Sequence, residues 1–327
     1  MHKAKVIGTG SYVPEKVLTN HDLEKIVETS DEWITTRTGM KERRIARSDE
    51  FTSDMGLVAA QRALEAAKIG AAEVDLILCA TLTPDYIFPS TACLIQAQLG
   101  AKKAGALDIQ AACSGFVYAL SVAKAYVESG IYKNVLIVAS EKLSSIVNYK
   151  DRNTCILFGD GAAACVVSIE GEGLVIRDVS LGAEGEQAQL LIQPGGGVRQ
   201  VATYESVDNG LHYIHMDGKE VYKHAVRGMV AAANESLQRA GISDKEISWL
   251  IPHQANMRII ESVAKRFEVS MGKVYVTIHK YGNTSSSSLG IALDEFIREK
   301  SPQSGENILL VAFGAGFTSG AAVLTYE

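Results

Sequence analysis

No window of this 327-residue chain reaches the roughly 18–20 apolar residues that a membrane-spanning helix requires, and its opening MHKAKVIGTGSYVPEK lacks the apolar core of a secretion signal. A cytoplasmic protein is expected. Aromatic residues make up only 7% and proline six positions, whereas hydrophobic residues reach 47% and glycine 29 positions; that is the profile of an alanine- and glycine-rich α/β protein and excludes a disordered one. Basic residues form no long run, and 32 Lys and Arg against 38 Asp and Glu leave a net charge of −6, so neither nucleic acid nor a membrane is an expected partner. The five cysteines contain no CxxC and the seven histidines no HxxxH or CxxH spacing, which argues against a metal site or a disulfide framework. Each cysteine is then a small buried hydrophobe or a reactive thiol.

A chain of this length exceeds the roughly 250–300 residues at which one core stops growing, so two units are expected. The sequence itself suggests that they are related. AQRALEAAKIGAAEVDLIL (60–78) and AANESLQRAGISDKEISWLI (232–251) read alike when slid by 173 positions, with Leu64 on Leu237, Ala67 on Ala240 and Glu73 on Glu246. Each reads as an amphipathic helix, a short turn and a buried strand. A second echo sets Phe158-Gly159-Asp160-Gly161 against Phe313-Gly314-Ala315-Gly316. We expect an N-terminal half over 1–172 and a C-terminal half over 173–327. Strands near 75–81, 105–109, 135–140, 162–168, 248–252, 274–278 and 307–312 alternate with helices near 53–68, 113–129, 220–240, 255–267 and 285–299, a pattern that predicts two mostly parallel, helix-covered sheets. The glycine-rich stretch 194–197, with polar flanks to about 217, reads as a long excursion between the halves.

Strand 105–109 runs through Gln110-Ala111-Ala112 into Cys113-Ser114-Gly115, after which Phe116, Leu120, Ala123 and Val127 recur at helical spacing. Cys113 thus falls at a helix start, where unpaired N–H groups and the dipole favour a thiolate. A buried structural cysteine is the competing reading, and it suits Cys79, Cys93, Cys155 and Cys165, which lie in or beside apolar runs. His253 follows the apolar WLIP and should be kept neutral by desolvation. Asn283 lies in a Gly-Asn turn ahead of a Thr/Ser run, where a turn residue or helix cap is the plain reading.

Seven segments in order, ETSDEWITTRTGM (28–40), IFPSTA (87–92), AACSGF (111–116), DRNTCILFGDGAAA (151–164), HQANMRI (253–259), YGNTSSSS (281–288) and FGAGFTSG (313–320), resemble β-ketoacyl-(acyl-carrier-protein) synthase III. The resemblance implies a thiolase-like five-layered αβαβα sandwich of two duplicated halves, a homodimer, and a decarboxylating condensation of a short acyl-CoA with malonyl-acyl-carrier protein. No tightly bound cofactor or metal is implied; coenzyme A thioester enters as substrate. It carries the catalytic roles to Cys113, His253 and Asn283, and the oxyanion hole to the backbone N–H groups of Cys113 and Ala315. Many family members have glycine where this chain has Ala315.

The resemblance further assigns coenzyme A contacts to Thr29, Trp33, Arg37, Arg152 and Asn256, with Trp33 and Arg152 sandwiching the adenine. Acyl-carrier protein is expected along Gln254, Ala255, Asn256, Met257, Arg258, Lys265 and Arg266, where a basic stripe could steer an acidic partner. Phe88 matches a residue that closes the acyl pocket of the partner subunit. Among rival readings, the papain-like proteases share the order Cys, His, Asn but place Cys in a CGSCW-like motif rather than ACSGF. A relative making a secondary metabolite, or a binding module on a retired fold, would share the architecture.

Overall fold

The computed structural model describes residues 3–327 and is built on one nine-stranded mixed sheet. In chain order its strands are β1 (Lys5–Tyr12), β2 (Leu76–Ala80), β3 (Gly105–Ile109), β4 (Asn134–Glu141), β5 (Gly161–Ser168), β6 (Leu174–Ala183), β7 (Ile247–Pro252), β8 (Asn307–Gly314) and β9 (Thr318–Tyr326). They lie side by side as β7-β8-β9-β6-β1-β5-β4-β2-β3. The helices used below are α1 (Asp31–Thr38), α2 (Thr52–Ala67), α3 (Thr91–Leu99), α4 (Gly115–Glu128), α5 (Gly218–Ala240), α6 (Met257–Arg266) and α7 (Ser287–Lys300).

Period-two alternation in the strands generates the layers. Val135, Ile137 and Ala139 of β4 point to the core that holds Phe116 and Leu120 of α4 and Leu289 and Leu293 of α7. Leu136 and Val138 point the other way, onto Ala59, Ala63 and Leu64 of α2 and Ile95 of α3. In the other half, Ile308, Leu310 and Ala312 of β8 face the same central helices, while Leu309, Val311 and Phe313 face Met229 and Ala233 of α5 and Ile260 and Val263 of α6. Two helical skins, two sheet layers and a shared helical centre make the five-layered sandwich. Buried on both faces, β4 and β5 read as unbroken apolar runs.

The 173-residue echo is one structural unit used twice. Helix α2 ends at Lys68 with a left-handed C-cap, and a 3-10 turn (Ala71–Glu73) whose Glu73 side chain accepts the Gly70 N–H precedes β2. Helix α5 ends at the left-handed Gly241, and Glu246 accepts the Ser243 N–H in the matching turn before β7.

The sheets are not mostly parallel. Only β2–β3, β2–β4 and β7–β8 pair in parallel, whereas β1–β5, β4–β5, β8–β9, β9–β6 and β1–β6 are antiparallel. Reversals run through β1, β6 and β9, which the apolar periodicity does not single out, and also through β5, which it does: β5 lies antiparallel to both β4 and β1. The two halves also join, since Lys5 and Val6 of β1 pair with Val175 and Leu174 of β6. Residues 274–278 form no strand: Val274 makes a single bridge to Leu250, and a short helix begins at Ile278. The excursion around 194–197 lies after β6, inside the second half, and runs to α5.

Candidate active site

The strand ends bring the chemistry together. The end of β3 leads to Cys113, the end of β7 to His253, the end of β8 to Ala315, and Asn283 precedes α7; all four line one cleft of about 2440 Å³. Such a crevice at carboxyl ends of strands is where open α/β sheets take their ligands.

Cys113 sits in a 3-10 turn (Ala112–Ser114) directly ahead of α4. Its sulfur is buried and lies 3.4 Å from Ser285 Oγ. The thiolate expected at a helix start is not the resting form, because burial pushes the thiol up to about 12 and outweighs the lowering from Ser285 and the local N–H. Two non-glycine residues beside it hold left-handed backbone, Ala112 at φ 45 and Ser285 at φ 51. Each costs roughly 1–2 kcal/mol, and such strain persists only where the surroundings enforce it.

His253 is buried, donates its own N–H to Val311 O at 2.8 Å, and has Nδ1 2.6 Å from Ser288 Oγ. Desolvation lowers its pKa to about 3, so the imidazole is neutral throughout the working range. Asn283 is pinned by its backbone to Leu157 and Gly159 at 2.8 and 3.0 Å. Its Oδ1 accepts the Ser285 N–H at 2.8 Å, which orients the amide and leaves the NH2 for the cleft. The Cys113 backbone is backed by Gly314: a Cβ there would stand 2.6 Å from the Cys113 nitrogen and 3.1 Å from that of Ser114. Ala315, like Cys113, lines the cleft and keeps its backbone N–H as a donor. Gly314→Ala is therefore expected to push the Cys113 amide out of line and slow acylation about 100-fold, as rapid-quench labelling would measure.

The outer residues divide. Trp33, Arg37, Asn256, Ala255 and Arg258 line the cleft. The Arg152 and Arg37 guanidinium carbons lie 4.8 and 4.9 Å from the Trp33 ring centroid, so Trp33 and Arg152 stack directly on each other instead of standing apart as an open adenine slot. Thr29 Oγ1 is buried with no partner among the described residues, as fits a polar ligand contact. Met257 is half-buried, and Lys265 and Arg266 are exposed on α6.

Two expectations need correcting. Gln254 has no exposed surface: its Nε2 donates to Pro252 O at 2.6 Å and its Oε1 accepts the Thr277 and Ile278 N–H groups at 2.9 and 3.0 Å. It ties the His253 loop to the next turn and offers a carrier protein no side-chain surface. Cys93 is exposed, because the apolar run around it is the amphipathic α3 and Cys93 falls on its solvent face. Ser285 and Ser288, which the motifs do not single out, contact Cys113, Asn283 and His253, and the serine run at 285–288 is the signal that points to them.

Comparison with known proteins agrees with this architecture. The family model for 3-oxoacyl-[acyl-carrier-protein (ACP)] synthase III matches residues 107–185, and that for its C-terminal part matches 237–326. The β-ketoacyl-[acyl-carrier-protein] synthase III of Chlamydia trachomatis is 58% identical over 323 residues, covering 98% of this chain and 99% of that protein. That of Caldanaerobacter subterraneus is 53% identical, covering 99% and 98%. The crystal structure of 3-oxoacyl-[acyl-carrier-protein] synthase III from Aquifex aeolicus superposes with a TM-score of 0.91 at 50% identity, covering 99% of this chain and all of that one.

Fold and cleft define a condensing enzyme of the thiolase class. Within it, the chain belongs to the β-ketoacyl-[acyl-carrier-protein] synthase III family. It is an acyltransferase that condenses a short acyl-CoA with malonyl-acyl-carrier protein, with loss of CO2, and so initiates fatty acid biosynthesis.

Proposed function

We propose that Cys113 carries the acyl group, that His253 and Asn283 hold the malonyl thioester during decarboxylation, and that acetyl-CoA is the primer. The observation that carries this is a buried thiol sharing one cleft with a neutral imidazole and an oriented amide. In the first stage the Cys113 sulfur bonds to the acyl carbon, the carbon–sulfur bond to coenzyme A breaks, and the thiol proton ends on the departing coenzyme. Net charge is unchanged, so a protonated resting thiol suffices. The N–H groups of Cys113 and Ala315 face the tetrahedral oxyanion.

In the second stage the carboxyl carbon leaves malonyl-acyl-carrier protein as CO2, and the electron pair moves toward the thioester oxygen. His253 and Asn283 donate to that oxygen. With Ser288 Oγ, which lies 3.4 Å from the Gln254 N–H, donating to Nδ1, the ring proton sits on Nε2. The carbanion attacks the acyl carbon, and collapse releases the 3-oxoacyl-carrier product and expels the Cys113 thiolate, which takes one proton from solvent to return to the thiol.

Coenzyme A is met by Trp33, Arg37, Arg152, Thr29 and Asn256, and the carrier protein by Ala255, Asn256, Met257, Arg258, Lys265 and Arg266. Trp33→Ala should raise KM for acyl-CoA about fivefold with little change in kcat, as steady-state kinetics would show. Ile87 and Phe88 are 87% and 84% exposed, large apolar side chains that a second copy would cover, which supports a homodimer with Phe88 at the partner's acyl pocket. The enzyme works without a resident cofactor, in the cytoplasm, and its halves divide near residue 172. Incubation with acetyl-CoA and malonyl-acyl-carrier protein should yield acetoacetyl-carrier protein and CO2. Absence of that product with every short primer would refute the assignment.

A further inference from the structure

The amide of Gln254 joins the two segments that end in His253 and Asn283. Strand β7 lies at the edge of the sheet, and along its free side the Tyr275 N–H donates to Leu250 O at 2.9 Å. Two residues on, facing the same way, Pro252 has no N–H with which to continue that pairing. The Gln254 side chain takes its place. Its Nε2 lies 2.6 Å from Pro252 O and 3.4 Å from Tyr275 O, and its Oε1 accepts the Thr277 and Ile278 N–H groups at 2.9 and 3.0 Å. Two carbonyl oxygens on one side and two N–H groups on the other admit only this orientation of the amide.

Both ends of the bridge lead directly to the proposed thioester donors. Pro252 precedes His253, whose own N–H donates to Val311 O at 2.8 Å. On the other side, Thr277 and Ile278 open the short helix Ile278–Tyr281, and their N–H groups are among those that a helix start leaves without a partner of its own. Ile278 O accepts the Gly282 N–H at 3.0 Å, so a single turn separates the Gln254 contact from Asn283. Gln254 is fully buried, and a side chain there that cannot bond leaves these backbone groups unpaired. Cys113 and Ala315 come from the ends of β3 and β8, outside this bridge.

We propose that Gln254 is a positioning residue that sets the spacing of His253 and Asn283, so that both donors meet one thioester oxygen during decarboxylation, while acylation of Cys113 proceeds without it. This rests on the donor roles proposed above for His253 and Asn283.

The test separates the half-reactions on the folded enzyme: rapid-quench acylation by acetyl-CoA, and release of 14CO2 from labelled malonyl-acyl-carrier protein. Gln254→Met is expected to lose decarboxylation about 10–100-fold while acylation stays within about threefold. A loss shared equally by both half-reactions would reduce Gln254 to a structural role and overturn the proposal. Gln254→Glu supplies the rescue: protonated, its O–H can donate to Pro252 O while its carbonyl accepts the two N–H groups, whereas ionised it sets a charge against two carbonyl oxygens. At about pH 5.5 it should decarboxylate at least about fivefold faster than the methionine variant, and no advantage there would also overturn the proposal. Should the methionine variant not fold, Gln254→Glu carries the test alone. Its ratio of decarboxylation to acylation, divided by that of the parent, should then fall at least about fivefold from about pH 5.5 to about pH 9, and a constant ratio would sink the idea. His253, Tyr275 and His279, the titratable groups on the segments that meet Gln254, are present in the parent and cancel in that division. His253→Ala keeps the two readings apart. Normal decarboxylation in it and in the methionine variant would remove the donor roles themselves; a slow His253→Ala beside a normal methionine variant would remove only the positioning by Gln254.

Discussion

Cys113→Ala is expected to gain no mass on incubation with acetyl-CoA, where the parent protein gains one acyl group, and its condensation rate should fall by more than about 10⁴-fold. No other cysteine can substitute. Cys79 and Cys165 are fully buried, with thiols pushed up by desolvation, and Cys155 is buried as well and lies outside the cleft; Cys93 is exposed but on α3, also outside it. The variant should still release CO2 from malonyl-acyl-carrier protein, because the roles proposed for His253 and Asn283 need no help from the sulfur. Persistent acylation of the alanine variant would place the nucleophile elsewhere.

His253→Ala should give the converse result. Acylation survives, and decarboxylation slows about 10²–10³-fold, corresponding to the loss of one preorganised donor of roughly 3–4 kcal/mol. Trapping of 14CO2 from labelled malonyl-carrier protein would measure it, and an unchanged rate would remove His253 from that role. The pH dependence has a definite sign. With the folded pKa near 3 and the unfolded value near 6.5, His253 adds no acid limb to decarboxylation between pH 5 and 8. It does act on stability: below about pH 6.5 the unfolded chain takes up a proton that the folded one refuses, so stability falls with falling pH until about pH 3. Thermal denaturation of His253→Ala should show a shallower decline across that window.

Much of this architecture is legible in the residues. The apolar runs of β2, β4, β7 and β8 and the long amphipathic helices are strong signals. The passage from β3 to Cys113 to α4 is equally plain. The strand β1 was not, because Gly8 and Gly10 break its apolar pattern; a Cβ on Gly8 would come within 2.4 Å of the Ala67 nitrogen, so glycine is there to let α2 lie against the strand. Without β1, β6 and β9, and with β5 read as one more parallel strand, the sheet looked parallel. At the site, the motifs bring Cys113, His253 and Asn283 forward and the structure places them in one cleft, but a side chain's direction is set by tertiary packing. Gln254 sits next to His253 in a motif that seemed to face outward, yet its amide is consumed by four backbone groups of its own chain. The protonated state of Cys113 escaped for a similar reason: helix position is local, whereas burial depends on every layer around it.

The stack of Arg152 on Trp33 has a bearing on turnover. On the proposed coenzyme A contact, a nucleotide settling on this indole would have to evict a side chain already resting there, exchanging one flat companion for another. Weak, quickly reversed attachment is what a spent coenzyme needs if it is to make way for the carrier-borne substrate in every cycle.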